Sequence, residues 1–150
     1  MENQPLDIAD RMHLSLMLDA ANSGDLEAAE RHGLRVLKSE CKVFHHFGPR
    51  FVIREMHIPA GTFVIGHAHK QPLANMLVKG LIRVFSAGCW STMEAPLFFV
   101  GSPGRKAAFA LTDTIWQNIL VTDERDPAKI EQIFVTHSDE WLAAQKHKGE

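Results

Sequence analysis

The sequence predicts a mainly β chain: a single closed barrel or two-sheet jelly roll, with a helical hairpin in front and a short helix behind. Three observations carry this. From Cys41 onward, short apolar runs rich in β-branched and aromatic residues alternate with Gly and Pro breaks. Before Cys41 the apolar residues recur at three- and four-residue steps, the period of a helix. The chain has 150 residues, 45% hydrophobic and 23% charged, which supplies one core and not two. The expected division is a helical hairpin over residues 1–40, packed on a barrel that takes 41–150 with its short C-terminal helix.

The first helix is expected from Leu6 to Ala21, where Ile8, Ala9, Met12, Leu16 and Ala20 keep the helical spacing. Asn22-Ser23-Gly24 breaks it. A second helix starts near Asp25, because an acidic first turn (Asp25, Glu27) suits the positive end of the helix dipole. Leu26, Ala29, Gly33, Val36 and Leu37 supply its apolar stripe. The phrase SGDLEAAE resembles half of a tetratricopeptide-type repeat, but no second copy follows at the required period. A helical hairpin is therefore expected and not a solenoid, covering one face or edge of the sheet or serving as an oligomerisation or docking element.

Nine strands are expected: Val43–Phe47, Phe51–Ile58, Thr62–Ala68, Leu73–Val78, Leu81–Ser86, Leu97–Val100, Lys106–Leu111, Ile115–Thr122 and Ile130–Thr136. Gly48-Pro49, Pro59-Ala60-Gly61, Lys79-Gly80, Ala87-Gly88 and Ser102-Pro103-Gly104 mark breaks between them. Many short strands with tight turns imply a barrel or jelly roll. A last helix, Asp139–Lys146, follows a cap at Ser138.

Charge and cysteine content narrow the function classes. The formal net charge of -2 gives no overall basic field for nucleic acid or an anionic membrane. The apolar runs fall short of the roughly 20 residues that cross a bilayer, and no secretory leader pattern is evident. Cys41 and Cys89 have no CxxC spacing, so free thiols in a reducing cytoplasm are expected.

The stretch GTFVIGHAHKQPLANMLVKG, from Gly61 to Gly80, carries the most chemistry. On a strand, residues two apart share a face, so His67 and His69 project together and form a bidentate clip for a divalent transition metal. Metal sites with an open position generally use three protein ligands. His57 on the preceding strand is the first choice for the third, with Gln71 and Gln117 as alternatives. The competing expectation is that His67 and His69 are polar residues at the barrel mouth, joined through water. A metal-free cavity is the other use of such a barrel, lined by Phe63, Ile65, Met76 and Trp116 if they point inward. The turn Ser102-Pro103-Gly104-Arg105-Lys106 offers backbone amides and two cations, either for an anion or as a solvated turn. Asp113 is expected to hydrogen-bond the backbone ahead of the next strand.

These residues resemble the cupin superfamily, whose first motif runs Gly, five residues, His-x-His, three or four residues, Glu, six residues, Gly. Gly61, His67, His69 and Gly80 match in order and spacing, while Leu73 stands where the glutamate belongs. The second motif survives as Pro103-Gly104, with Ala107 at about the place of its histidine. The resemblance thus implies a cupin-type jelly roll, or double-stranded β-helix, in which two of four metal ligands are lost. A narrower resemblance is to small cupin-like proteins encoded by bacteriophages and prophages. It rests on REMHIPAGT (Arg54–Thr62), HKQPLANMLVKG (His69–Gly80) and SPGRKAAFALTDTIW (Ser102–Trp116). Ala74 is inserted in that group's Leu-Asn pair, and Leu120 replaces a histidine expected after the tryptophan. Together the motifs span Phe51 to Thr122 and are more specific for fold than for activity.

Three functions follow as expectations. The favoured one is a non-catalytic binding or assembly module of phage or prophage origin, homo-oligomeric, with a phage or host protein as a further partner. It would work in the cytoplasm, that of the host if phage-encoded, or in the virion. The second is a metal-dependent dioxygenase or isomerase using His67 and His69. The third is a small-molecule barrel without metal.

Overall fold

A computed structural model describes residues 8–36 and 41–149. Two compact units emerge, one of residues 1–38 and 137–150 and one of 39–136. The C-terminal helix thus groups with the N-terminal helices and not with the barrel. Residues 37–40, where the boundary was expected, lie outside the described residues, as do Leu6 and Leu37.

The helical unit holds α1 (Ile8–Ser23), α2 (Leu26–Val36) and α4 (Asp139–Lys148). Asp25 caps α2 by accepting from the Ala28 backbone N–H at 3.0 Å. The buried face of α1 is Met17 and Ala21, while Ile8, Met12 and Leu16 are exposed. The expected stripe is therefore the outer one, because two apolar rows run along this helix and spacing does not say which is covered. Leu26 and Ala29 of α2 are buried as expected. Ser138 caps α4, accepting from Trp141 N at 3.1 Å and donating to the buried Glu30.

The second unit is the predicted mainly β jelly roll, built of antiparallel sheets. Its strands are β1 (Lys42–Gly48), β2 (Phe51–Ile58), β3 (Phe63–Ile65), β4 (Ala68–His69), β5 (Leu73–Lys79), β6 (Leu81–Ser86), β7 (Cys89–Glu94), β8 (Leu97–Gly101), β9 (Ala107–Ala110), β10 (Thr114–Val121) and β11 (Val135–Thr136). One antiparallel sheet runs β1-β2-β10-β5-β8 and the other β3-β9-β6-β7; β11 and β4 form a small separate pair. Gly80, at φ +104°, permits the tight β5–β6 connection, where a Cβ would meet Asp113 O at 2.6 Å.

Three details depart from the sequence expectation. The strand expected over Thr62–Ala68 is interrupted at Gly66-His67, where the Gly66 N–H bonds Lys106 O at 2.8 Å. An additional strand, β7, pairs along the whole of β6. Ile130–Thr136 is mostly helix, not strand: α3 spans Pro127–Phe134 and leaves two residues for β11. Asp126 caps that helix by accepting from Ala128 N, and Pro127 fits its first turn.

The barrel core has two apolar clusters. Ile58, Leu77, Ile82, Val84, Ala108, Ala110 and Trp116 make the first. Val52, Leu73 and Leu120 make the second, together with Ile130 and Phe134 of α3. That is why α3 forms here: an i, i+4 apolar pair closes one end of the core.

Candidate functional site

Strand alternation places a polar layer between these two clusters. On β2, Val52 belongs to one cluster and Ile58 to the other, so Arg54 shares their inward face. The same reading puts Asn118 between Leu120 and Trp116 on β10, and Asn75 between Leu73 and Leu77 on β5. Register aligns them in one row across the sheet, His45 beside Arg54, Arg54 beside Asn118, and Asn118 beside Asn75. Asn75 is 2% exposed; its Oδ1 accepts from Trp116 Nε1 at 3.0 Å and Asn118 Nδ2 at 2.6 Å, and its Nδ2 donates to Leu73 O.

The histidine pair stands on a segment tied to the Pro-Gly turn. His69 and Gly104 exchange two backbone hydrogen bonds of 3.0 and 2.9 Å, and Arg105 Nε donates to Gly66 O at 3.1 Å. Lys70 anchors the same segment to α3, its Nζ donating to Gln132 O at 2.7 Å. His67 Nε2 lies 3.8 Å from Glu131 Oε1 on α3. Two residues before the core residue Ala108, Lys106 takes the inward position ahead of β9 and donates to Ser102 O at 2.8 Å.

Electrostatics join the two sides. Burial pushes His69 down to about 4, with the charges of Lys106, Arg54 and His67 acting the same way, so its imidazole is neutral at pH 7. Burial also lowers Lys106 and Arg54, the latter opposed by Glu131, and lowers His45, on which Arg54 adds to the effect. Sequence reasoning overlooked Arg54. Its one signal was the spacing Val52, Arg54, Met56, Ile58, a competing inward set on the same strand.

The expectation that His57 joins the histidine pair is corrected. Met56 packs on the core, so alternation turns His57 outward, where it bonds the Glu55 carboxylate at 2.8 Å with Phe44 edge-on to its ring. Gln117 also turns outward, donating to Glu55 at 2.7 Å, and His46 lies 3.8 Å from the same carboxylate. Hydrogen bonds from His57 and Gln117 hold Glu55 below the usual carboxylate range. Gln71 is exposed in the turn after β4.

Of the four residues expected to line a cavity, Phe63, Ile65 and Met76 turn outward, while Trp116 faces the interior. Val64, between Phe63 and Ile65, packs on the core, so its neighbours take the opposite face of β3. Met76 alternates with the buried Asn75 and Leu77 and faces outward; Trp116 lies in the core, edge-on to Phe99. Asp113 Oδ1 accepts from Ala60 N at 2.9 Å, a turn contact.

The four-ligand metal site that the cupin resemblance implies does not fit these residues. Leu73 is 5% exposed in the second cluster, Ala107 offers no donor, and two cations act on His69 from within the layer.

No known family model matches the chain, and no curated protein matches it either. Among solved structures, an RmlC-like cupin from Shewanella frigidimarina aligns with a TM-score of 0.49 and 18% identity, over 60% of this chain and 83% of that one. KdgF from Halomonas sp. aligns with a TM-score of 0.48 and 13% identity, over 59% and 85% of the two chains. A cupin superfamily protein from Desulfitobacterium hafniense gives 0.46 and 8%, over 60% and 87%.

Proposed function

We propose that this chain is a non-catalytic, metal-independent binding barrel of the kind that phages and prophages encode. The observation that carries the reading is the pair of missing donors: Leu73 and Ala107 are both buried and apolar where the cupin motifs supply ligands. The phage link is supported by the three motif segments between Arg54 and Trp116. Among the described residues Cys41 and Cys89 form no disulfide, which supports a cytoplasmic setting, and no helix is long and apolar enough to cross a membrane. Elemental analysis of protein purified without chelator tests the reading. We expect less than about 0.1 equivalent of iron, manganese, nickel or zinc, since folded sites retain metal tightly. Stoichiometric metal that disappears on replacing both His67 and His69 by alanine overturns it.

A homo-oligomeric assembly role is favoured by the outer face of the five-stranded sheet. Phe98 and Val100 on β8 are 56% and 65% exposed, and Val78, Phe44 and Val121 are exposed on the same face. Exposed apolar side chains at the β8 edge, next to Val78 on the neighbouring β5, are the kind of surface that marks contact sites.

A further inference from the structure

Two cations inside the barrel have no anion of their own. Among the described residues the Arg54 guanidinium makes no hydrogen bond and no ion pair, although burial acts on it more strongly than any charge. Glu131 acts on it through space, but that carboxylate stands beside His67. Lys106 spends one of its three N–H donors on Ser102 O. Charges withdrawn from water are ordinarily paired, because hydration lost on burial must be replaced by protein or ligand groups. A guanidinium with five donors, an ammonium with two donors left and a half-buried imidazole therefore form an incomplete set.

We propose that the polar layer binds a small oxyanion, a carboxylate or a phosphate, held by Arg54 and Lys106 with the His69 imidazole beside it. The proposal rests on the reading of the barrel as metal-independent. The disagreement between the implied metal and the residues present motivates it: the inward positions that face the histidine carry positive charge, which repels a divalent cation and attracts an anion. Arg54 brings the planar fork that matches two oxygens at once, while Lys106 acts as a point charge. Gly101 keeps the space open on the Lys106 side, where a Cβ would come within 3.4 Å of Lys106 Nζ and 2.9 Å of Asn75 Nδ2. Glu131, beside His67, repels the ligand from that side and leaves the Arg54–Lys106 side as the place for its oxygens. Both cations face an interior row that also holds the Asn118 amide, in register with Arg54.

Calorimetric titration of the full chain with inorganic phosphate, and separately with succinate, tests this at constant ionic strength set by chloride. Saturable binding of either anion is expected, and the stronger of the two identifies the ligand chemistry. Arg54→Gln and Lys106→Gln should each weaken that binding at least tenfold, with circular dichroism confirming the fold. If Arg54→Gln fails to fold, Lys106→Gln alone decides. The outward-facing His57→Ala should bind as the parent does. No saturable binding of either anion overturns the proposal, as does unchanged binding by the folded cation variants. If neither anion binds and the protein is also free of metal, this proposal fails while the metal-independent barrel stands. If anions bind only after zinc is added, both fail together.

Discussion

Asn75 shows how much one amide can hold. Its Oδ1 takes the protons of Trp116 and Asn118 in the interior, so removing that acceptor leaves two donors stranded. Asn75→Leu is expected to cost about 2–6 kcal/mol, at about 1–3 kcal/mol for each of the two orphaned groups, read as a lower urea midpoint. A loss under about 1 kcal/mol would show that water replaces the acceptor. His69 makes a prediction about acid. Its folded value near 4 lies below the ordinary 6.5, so between those values the unfolded chain takes up a proton that the folded chain refuses. Stability present above pH 6.5 is therefore lost as pH falls toward 4, with a slope below the full ~1.4 kcal/mol per pH unit, because the ring is partly solvated. Urea midpoints from pH 7 to 4.5 should fall less steeply in His69→Gln than in the parent. Equal slopes would assign the acid sensitivity elsewhere. Of these residues, the histidine pair was legible from spacing, whereas Asn75 and Arg54 were not, because a polar residue on a strand reads as solvent-facing until its neighbours are placed.

At the scale of elements, α3 and the β5–β6 turn make the sharpest claims. Asp126→Ala removes an N-cap and should cost about 1 kcal/mol, while Phe134→Ala empties a core position for about 3–5 kcal/mol; thermal and urea unfolding measure both. Gly80→Ala adds a Cβ against the Thr114 Oγ1 and Asp113 O atoms at a backbone angle that favours glycine. It should cost more than about 1 kcal/mol. The positions of most strands and both N-terminal helices were legible because Gly and Pro punctuate them. The helix at Pro127 was not, since Ile130, Ile133, Phe134 and Val135 crowd together like a strand. Its start signal, Asp126-Pro127, was present all the same. Strand β2 shows a different limit. Phe51 and Ile53 are apolar on one face, Val52, Met56 and Ile58 on the other, and the pattern alone leaves the inward face open. Choosing His57 as inward followed from that ambiguity; the register with β10 resolves it.

At the scale of the molecule, the fold class was legible and the use of the barrel was not. Turn chemistry announces a jelly roll, but a ligand layer is assembled from β1, β2, β5, β10 and the Pro-Gly turn, which lie far apart in the chain. The exposed face of the larger sheet gives the prediction that belongs here. Phe98→Asp should reduce the mass found by light scattering after size exclusion, and leave the unfolding midpoint within about 0.5 kcal/mol, as surface changes ordinarily do. A parent that runs as a monomer at high concentration would remove the oligomeric reading.

Glu55 has a consequence for that same face. Its carboxylate already accepts from His57 and Gln117, so its ionised form is stabilised locally, within the wall of the sheet. An incoming surface laid over it need not bring a donor, and the ionised form survives dehydration that would protonate an isolated acid. What could have been a hydrophilic flaw in a greasy plane is thereby rendered compatible with a dry seam.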